Sequence, residues 1–214
     1  RSIVASALAG KPDGAWLDPH AAVALLSAFG IPVVDQREVT DVDGARAAAR
    51  EIGFPVALKA SAPELVHKSD VGGVALNLRD ADAVRTAYGH MLSTVRTRAP
   101  SARIDGVLVA PMLRGGVECI MGAQNDPVFG PMVLFGLGGV FVETLGDVVL
   151  HTAPVTQAQA LAMVRSTKGF ALLAGARGQE PVDMESLASS LVALSQLAWQ
   201  AGDSLQSIDV NPFI

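Results

Sequence analysis

Two neighbouring segments decide the fold: Phe54-Pro55-Val56-Ala57-Leu58-Lys59 and Val66-His67-Lys68-Ser69-Asp70-Val71-Gly72-Gly73-Val74. The first is an apolar run typical of a buried strand, and it ends in a lysine. The second is polar and charged and carries a pair of glycines, which is typical of a loop. Because a further apolar run, Val74 to Leu78, follows at once, the sequence predicts two paired strands joined by a loop rich in charge and glycine.

Lys59 and this loop form a candidate site for an anion. An ammonium group drawn toward the interior loses solvation and needs a carboxylate or phosphate to compensate it. Gly72 and Gly73 allow backbone conformations closed to other residues, so their N–H groups can turn toward phosphate oxygens while Lys68 adds positive charge. The alternative is a lysine that leaves the strand end into water beside an ordinary solvated turn. From these residues alone, the two interpretations are equally supported.

Periodicity, capping residues and Gly or Pro stops predict alternating helices and strands on both sides of the hairpin. Before it, we expect a helix opened by Asp18-Pro19 with Val23, Leu26 and Phe29 on one face, a strand over Val33 to Val39, and a helix over Asp41 to Ile52. After it, we expect a helix beginning at Asp80 whose inward residues are Val84, Tyr88, Met91 and Val95.

The second half of the chain reads as a largely antiparallel sheet followed by two helices and a last strand. The predicted strands are Ile104 to Met112, Val117 to Gly122, Met132 to Phe135, Val148 to His151 and Ser207 to Ile214. The helices begin at a Thr156/Gln159 capping box and at Asp183. Alternating helices and strands with an antiparallel centre predict an α+β fold, with two lobes around a cleft that suits a nucleotide. We expect 1–14 to be a linker, 15–214 to be the domain, and about 31–110 to be its smaller lobe.

Composition excludes several function classes. The 214 residues are 50% hydrophobic and 17% charged, and no apolar run is long enough for a membrane span. A net charge of −5 without a basic-aromatic patch argues against nucleic acid as the main partner. The single cysteine, Cys119, lies in an apolar run, which predicts a buried thiol and a reducing, cytoplasmic compartment. Both chain ends look internal, so we expect a piece of a longer protein.

Several further residues could take part in chemistry. Glu118 and Glu143 lie at strand ends in apolar company, where an acid is paired, poised for a metal or ribose hydroxyl, or simply exposed. Asp209 and Asn211 alternate along a strand and offer the hard oxygen ligands that suit Mg²⁺. Val107 to Met112, the strand that includes Val109 and Ala110, could offer backbone groups to an adenine edge beside Met112 or be core. His67, beside Lys68, is a phosphoryl acceptor or a solvated loop residue.

Taken in order, these motifs resemble the ATP-grasp domain of NDP-forming acyl-CoA synthetases, the nucleotide-binding β part of ADP-forming acetate–CoA ligases. The resemblance covers nearly the whole sequence. It rests on Gly30 to Val33, Phe54 to Lys59, His67 to Val74, Asp126 to Pro131 with Phe135 to Gly139, and Asp209 to Pro212.

The resemblance implies roles for the candidate residues. Lys59 corresponds to the phosphate-binding lysine, Lys68, Gly72 and Gly73 belong to the mobile phosphate loop, and Val109 to Met112 form the hinge that contacts adenine. Glu118 and Glu143 would line the nucleotide site, and Asp209 and Asn211 would hold Mg²⁺. His67 matches a histidine that accepts phosphate from ATP and exchanges it with a second phosphohistidine in a CoA-binding part. The family continues past the Asn-Pro strand to a further acid, whereas this sequence stops at Ile214.

The implied reaction is acyl-CoA + ADP + phosphate ⇌ carboxylic acid + CoA + ATP, of which this chain would perform the nucleotide half with ATP or ADP and Mg²⁺. CoA-binding and ligase domains would come from the same or a second chain, in a homo- or hetero-oligomer. A different class is a nucleotide-sensing ATP-grasp domain fused to a protein acetyltransferase. A third is a scaffold that docks partners through its apolar faces.

Overall fold

A computed structural model of the chain describes residues 2–10, 14–62, 65, 68–113, 115–138, 146–178 and 180–214. In chain order the helices are α1 (Ser2–Leu8), α2 (Pro19–Ala28), α3 (Val42–Ile52), α4 (Ala81–Arg98), α5 (Gln157–Arg165), α6 (Phe170–Leu173) and α7 (Met184–Ala201). The strands are β1 (Arg37–Val39), β2 (Val56–Ser61), β3 (Val74–Leu78), β4 (Gly106–Pro111), β5 (Cys119–Asp126), β6 (Gly130–Leu137), β7 (Val148–Thr152) and β8 (Ser207–Phe213).

The chain divides into a small unit, Val33–Arg114, and a large unit made of Arg1–Pro32 with Gly115–Ile214. Each unit has one four-stranded sheet, ordered β1-β4-β2-β3 in the small unit and β7-β6-β5-β8 in the large one. Every strand pair in both sheets is antiparallel. The predicted α+β class is confirmed. Within the described ranges, no helix has the length and apolar character needed to cross a membrane.

In the small unit, α3 and α4 pack against one face of the sheet. Asp41 caps α3 and Asp80 caps α4, each through a carboxylate that accepts backbone N–H groups of the first turn. Gly53 ends α3 at φ +93°, a conformation that favours glycine. The four predicted inward residues of α4 are its buried ones and join a core with Val56, Leu58, Ala60, Val107 and Val109.

In the large unit, α5 and α7 pack on one face of the second sheet. The predicted capping box is present, since Thr156 accepts from the Gln159 N–H and Gln159 accepts from the Thr156 N–H. Asp183 caps α7, whose buried stripe contributes Leu187, Leu191 and Leu194 to a core that also holds Phe135 and Leu137 from β6.

Three sequence expectations differ from the structure, and the first differs because a strand extends only as far as its pairing with a neighbour. The strand predicted over Val33 to Val39 is confined to β1, the three residues that pair with Val107–Val109. On α2 the buried residue is Leu25, whereas Val23, Leu26 and Phe29 are half-buried. The segment predicted as a linker contains α1.

Candidate functional site

A row of side chains crosses the small-unit sheet on the face away from α3 and α4. Lys59 in β2 stands opposite Leu108 in β4 and Val74 in β3, and Leu108 stands opposite Glu38 in β1. Residues in register on antiparallel neighbours share a face, so Glu38 and Lys59 flank Leu108 on one surface. Lys59 is half-buried and lies inside β2, which continues to Ser61, so the prediction that it ends the strand is wrong.

Lys68 is the second cation of this group. It is half-buried, and its pKa is lowered, first by burial and then by repulsion from the Lys59 ammonium, while the Glu38 carboxylate acts in the opposite sense. Two ammonium groups are therefore close enough to repel each other beside one carboxylate. An anion placed here would offset that repulsion, because it would attract both ammonium groups.

The glycines after Lys68 close a tight turn. The Gly73 N–H donates to the Lys68 carbonyl at 2.7 Å, and the Gly72 N–H donates to the Ser69 carbonyl at 3.0 Å. A Cβ on Gly73 would lie 2.9 Å from the Lys68 carbonyl oxygen, and Gly72 has φ +75°. Contrary to the expectation that these two N–H groups turn toward an anion, they are used inside the turn. The glycines shape the backbone that carries Lys68.

The predicted adenine hinge divides between two faces of the sheet. The side chain of Val109 is buried in the core against the helices. Ala110 is in register with Ala57 and lies on the Lys59 face. The Met112 N–H donates to the Pro55 carbonyl at 3.0 Å, so it points toward β2. The N–H and C=O groups of successive residues in an antiparallel strand point to alternate sides, so the Pro111 carbonyl points away from β2. On that side, the last residue of β4 that pairs with β1 is Val109.

A separate set of oxygen ligands lies on the large-unit sheet. Asp209 and Asn211 are exposed and alternate along β8 with Ile208 and Val210, which pack against the core. Asp209 therefore lies on the sheet face away from α5 and α7, whereas Asn211 lies where the register between β5 and β8 shifts, between Val210 and Phe213. Asp209 stands opposite Gly122 in β5, where a Cβ would lie 2.9 Å from the Asp209 Oδ1. The glycine leaves room for the carboxylate over the sheet.

Glu118 immediately precedes β5 and lies four residues before Gly122. Because side chains alternate between the two faces of a strand, Glu118 lies on the same face as Gly122. Its side chain is exposed, and its carbonyl accepts the Gly138 N–H at 2.7 Å. No group of three His, Cys, Asp or Glu side chains forms a metal cluster among the described residues. Mg²⁺ fits a sparse donor set, since it keeps several waters and takes further oxygens from substrate phosphates. His67 and Glu143 lie outside the described residues.

Two residues of these surfaces were not predicted from sequence. Glu38 meets the lysines only through the strand order β1-β4-β2, and Gly122 meets Asp209 only through the β5–β8 register. Cys119, by contrast, is buried as predicted, and burial raises the pKa of its thiol to about 12. A thiol with so high a pKa is a poor nucleophile.

Comparison with known proteins gives the family. Residues 8–214 match the family described as ATP-grasp domain. The chain is 46% identical over 188 residues to acetate–CoA ligase (ADP-forming) I of Archaeoglobus fulgidus, covering 88% of this chain and 27% of that protein. It is 40% identical over 188 residues to the β subunit of acetate–CoA ligase (ADP-forming) II of Pyrococcus furiosus, covering 88% of this chain and 80% of that subunit.

A solved structure agrees with these relatives. It is acetyl-coenzyme A synthetase 1 of Ca. Korarchaeum cryptofilum in complex with coenzyme A and Mg-AMPPCP, with its phosphohistidine segment pointing toward the nucleotide-binding site. The TM-score is 0.80 at 38% identity, over 99% of this chain and 92% of that one. The relatives thus include both a subunit of about this size and a much longer protein. This chain belongs to the ATP-grasp family and is homologous to the β subunit of ADP-forming acetate–CoA ligases.

Proposed function

We propose that this chain is the nucleotide-binding, phosphoryl-transfer half of an ADP-forming acyl-CoA synthetase, an acid–thiol ligase. The reaction of the whole enzyme is acyl-CoA + ADP + phosphate ⇌ carboxylic acid + CoA + ATP. The observation that carries the proposal is geometric: half-buried Lys59 lies in β2 beside the turn that begins at Lys68, and the Gly73 carbonyl of that turn accepts the Ala60 N–H of β2. Burial first, and then repulsion from the Lys59 ammonium, lowers the pKa of Lys68. Such a pair is suited to a polyphosphate, whose charge exceeds that of the single carboxylate of Glu38.

In this proposal the two lysines bind the nucleotide phosphates, and Gly72 and Gly73 hold the turn that carries Lys68. The end of β4 meets the adenine. Ala110 presents a small side chain on the Lys59 face, and the Pro111 carbonyl is oriented to accept an amino group. Val109 would contribute backbone only, because its side chain is buried in the core. Met112 would contribute a polarizable side chain beside the ring.

Mg²⁺ is the second cofactor that the proposal includes. Asp209 and Asn211 would hold it, with Glu118 and Glu143 lining the same nucleotide site. The ion would neutralise charge on the transferred phosphoryl group. The space over Gly122 supports the placement, because it lets the Asp209 carboxylate lie over the sheet without a side chain in its way.

His67 is the proposed phosphoryl acceptor. A neutral imidazole nitrogen attacks the γ-phosphorus in line, a nitrogen–phosphorus bond forms, and the bond from phosphorus to the β,γ-bridging oxygen breaks to release ADP. Lys59 and Lys68 stabilise the negative charge that spreads over the phosphoryl oxygens. The phosphoryl group would then pass to a second histidine on the CoA-binding part and from there to the carboxylate of the acid. The acyl phosphate so formed would react with the CoA thiol, which forms the thioester and releases phosphate. Energetically, the chain contributes positioning and charge stabilisation.

Because this chain would perform only the nucleotide half of the reaction, it needs a partner that binds CoA. The Pyrococcus relative is a subunit β and the Archaeoglobus relative is a longer single chain, so the CoA-binding part would be a second chain or another domain of this one. The acyl group would be selected there. A homo- or hetero-oligomer would bring the parts together. The single, buried Cys119 supports a reducing, cytoplasmic setting.

The test is phosphorylation of the chain with ATP labelled at the γ-position, in the presence of the CoA-binding part of a related ligase. We expect acid-labile, alkali-stable label on the wild type and none on His67→Asn. His90→Asn is the matched control, because His90 is exposed on α4, which packs on the sheet face opposite to that of Lys59. Equal labelling of His67→Asn would refute the histidine assignment. Tight Mg-ATP binding without transfer would support the nucleotide-sensing alternative, and absence of binding would support the scaffold.

A further inference from the structure

We propose that the last two turns of α4 are a seat that positions the Lys68 turn (residues 68–73), with Arg98 and Thr94 as positioning residues for nucleotide phosphates. The inference rests on the proposed function and deepens it. It concerns how the chain holds a phosphate-binding lysine in place before any nucleotide arrives.

The first contact of the seat is a hydrogen bond from Arg98. This residue ends α4, and its guanidinium Nη1 donates to the Asp70 carbonyl at 3.3 Å. The two residues are 28 positions apart, so the bond ties the turn to a separate element rather than to its own neighbours. Because Arg98 is exposed, the bond adds little to overall stability. Its effect falls on the backbone two residues after Lys68.

The second contact brings Gly72 against Thr94. The Thr94 hydroxyl donates to the His90 carbonyl at 2.9 Å, which fixes the side chain on its own helix. The Thr94 methyl group then faces the turn, and a Cβ on Gly72 would lie 2.7 Å from it. Only a residue without a side chain permits this approach, and the φ of +75° at Gly72 favours glycine independently.

A third contact fixes the far end of the turn. The Ala60 N–H, which follows Lys59 in β2, donates to the Gly73 carbonyl at 2.8 Å. The turn is thus held by β2 at Gly73, by Thr94 at Gly72 and by Arg98 at Asp70. The Gly73 N–H closes it onto the carbonyl of Lys68 itself.

This arrangement differs from a free, glycine-rich flap. A backbone held at three points loses less conformational freedom when a ligand binds, so preorganisation raises affinity without adding a contact to the ligand. The seat therefore acts on phosphate binding through Lys68, and neither Arg98 nor Thr94 needs to touch the nucleotide.

The experiment is calorimetric titration of the full chain with Mg-AMPPCP. We expect Arg98→Ala to weaken binding about 3- to 10-fold, the factor that one ordinary hydrogen bond represents. Arg98→Lys keeps a donor on a long stem and should recover part of the loss. Arg96→Ala is the matched control, since Arg96 is an exposed arginine two residues earlier on α4, and it should stay within about 2-fold of the wild type.

Two further measurements separate positioning from general destabilisation. The urea midpoint of Arg98→Ala should match that of Arg96→Ala, while amide exchange of the 68–73 segment should rise only in Arg98→Ala. Gly72→Ala should weaken binding as well, and adding Thr94→Ser, which removes the methyl group, should restore part of it.

Mg-AMPPCP binding by Lys68→Met distinguishes failure of the seat from failure of the proposed function. If Lys68→Met weakens binding but Arg98→Ala behaves like Arg96→Ala, the seat is refuted and the proposed function stands. If Lys68→Met binds Mg-AMPPCP as tightly as the wild type, the proposed function and the seat both fail.

Discussion

Gly122→Ala should weaken Mg²⁺-dependent nucleotide binding while leaving the chain folded. A Cβ at this position would lie 2.9 Å from the Asp209 Oδ1, whereas ordinary contact begins at 3.4 Å, so the carboxylate must retreat by about 0.5 Å. The same Cβ would lie 3.3 Å from the Ile208 carbonyl oxygen, a tight contact that the strand can absorb. Because a ligand set works within about 0.5 Å of its productive geometry, we expect a loss of about 10-fold.

The assay is titration with AMPPCP at fixed, increasing Mg²⁺ concentrations. Gly122→Ala should need more Mg²⁺ to reach a given affinity, and Asp209→Ala should show the same shift to a larger extent. Gly89→Ala in α4 is the control, since nothing lies within 4 Å of its new Cβ and the helix should gain about 1 kcal/mol. An unchanged Mg²⁺ dependence in both Gly122→Ala and Asp209→Ala would refute the placement of the metal on this face.

Three further predictions follow, each from the surroundings of one residue. Burial and Lys59 lower the pKa of Lys68, so its charge is lost at a lower pH than that of a free lysine, and Mg-AMPPCP affinity should fall on the alkaline side. Lys68→Arg should move that fall to higher pH, and superimposable profiles would contradict the assignment. Buried Asp147 accepts the Lys168 and Gly169 N–H groups at 2.7 and 2.9 Å, so Asp147→Ala should cost about 2–4 kcal/mol in urea unfolding. Cys119, with a pKa of about 12, should resist a thiol reagent at pH 8 until denaturant is added, and rapid labelling of the folded chain would show that it is accessible.

Local features of the fold were predictable because their causes are local. Asp41, Asp80 and Asp183 each cap the helix that follows them through N–H groups two or three residues away. The inward stripe of α4 follows from helical periodicity, since one face must be apolar to pack on a sheet. The hairpin of β2 and β3 was also predictable, because its two apolar runs and the glycine loop between them are adjacent in the sequence.

Features that depend on distant pairing were not predictable. The extent of β1 is set by β4, about seventy residues later, and a pattern confined to Val33 to Val39 holds no trace of that register. The faces of Val109 and Ala110 likewise follow from pairing with β2. Val4 and Leu8 of helix α1 line one pocket together with Leu25 and Leu197, neighbours that the first residues of the sequence do not indicate by themselves.

The candidate site shows the same division. Residue type alone left the anion-site interpretation of Lys59 and Lys68 no better supported than a solvated turn. The order of the motifs, which resembles a known family, singled out these lysines together with Asp209 and Asn211. Glu38 and Arg98 were missed, since each acts on Lys68 or its turn through space and neither lies in a recognisable motif. The expectation that the Gly72 and Gly73 N–H groups turn toward an anion differs from the structure, in which both donate inside the turn, because such bonds depend on the conformation that the turn adopts.

The most direct test of the central claim is a crystal structure of this chain with Mg-AMPPCP bound. We expect the triphosphate within hydrogen-bond distance of the ammonium groups of both Lys59 and Lys68. A nucleotide bound elsewhere, with the Lys59 ammonium in bulk solvent, would contradict it.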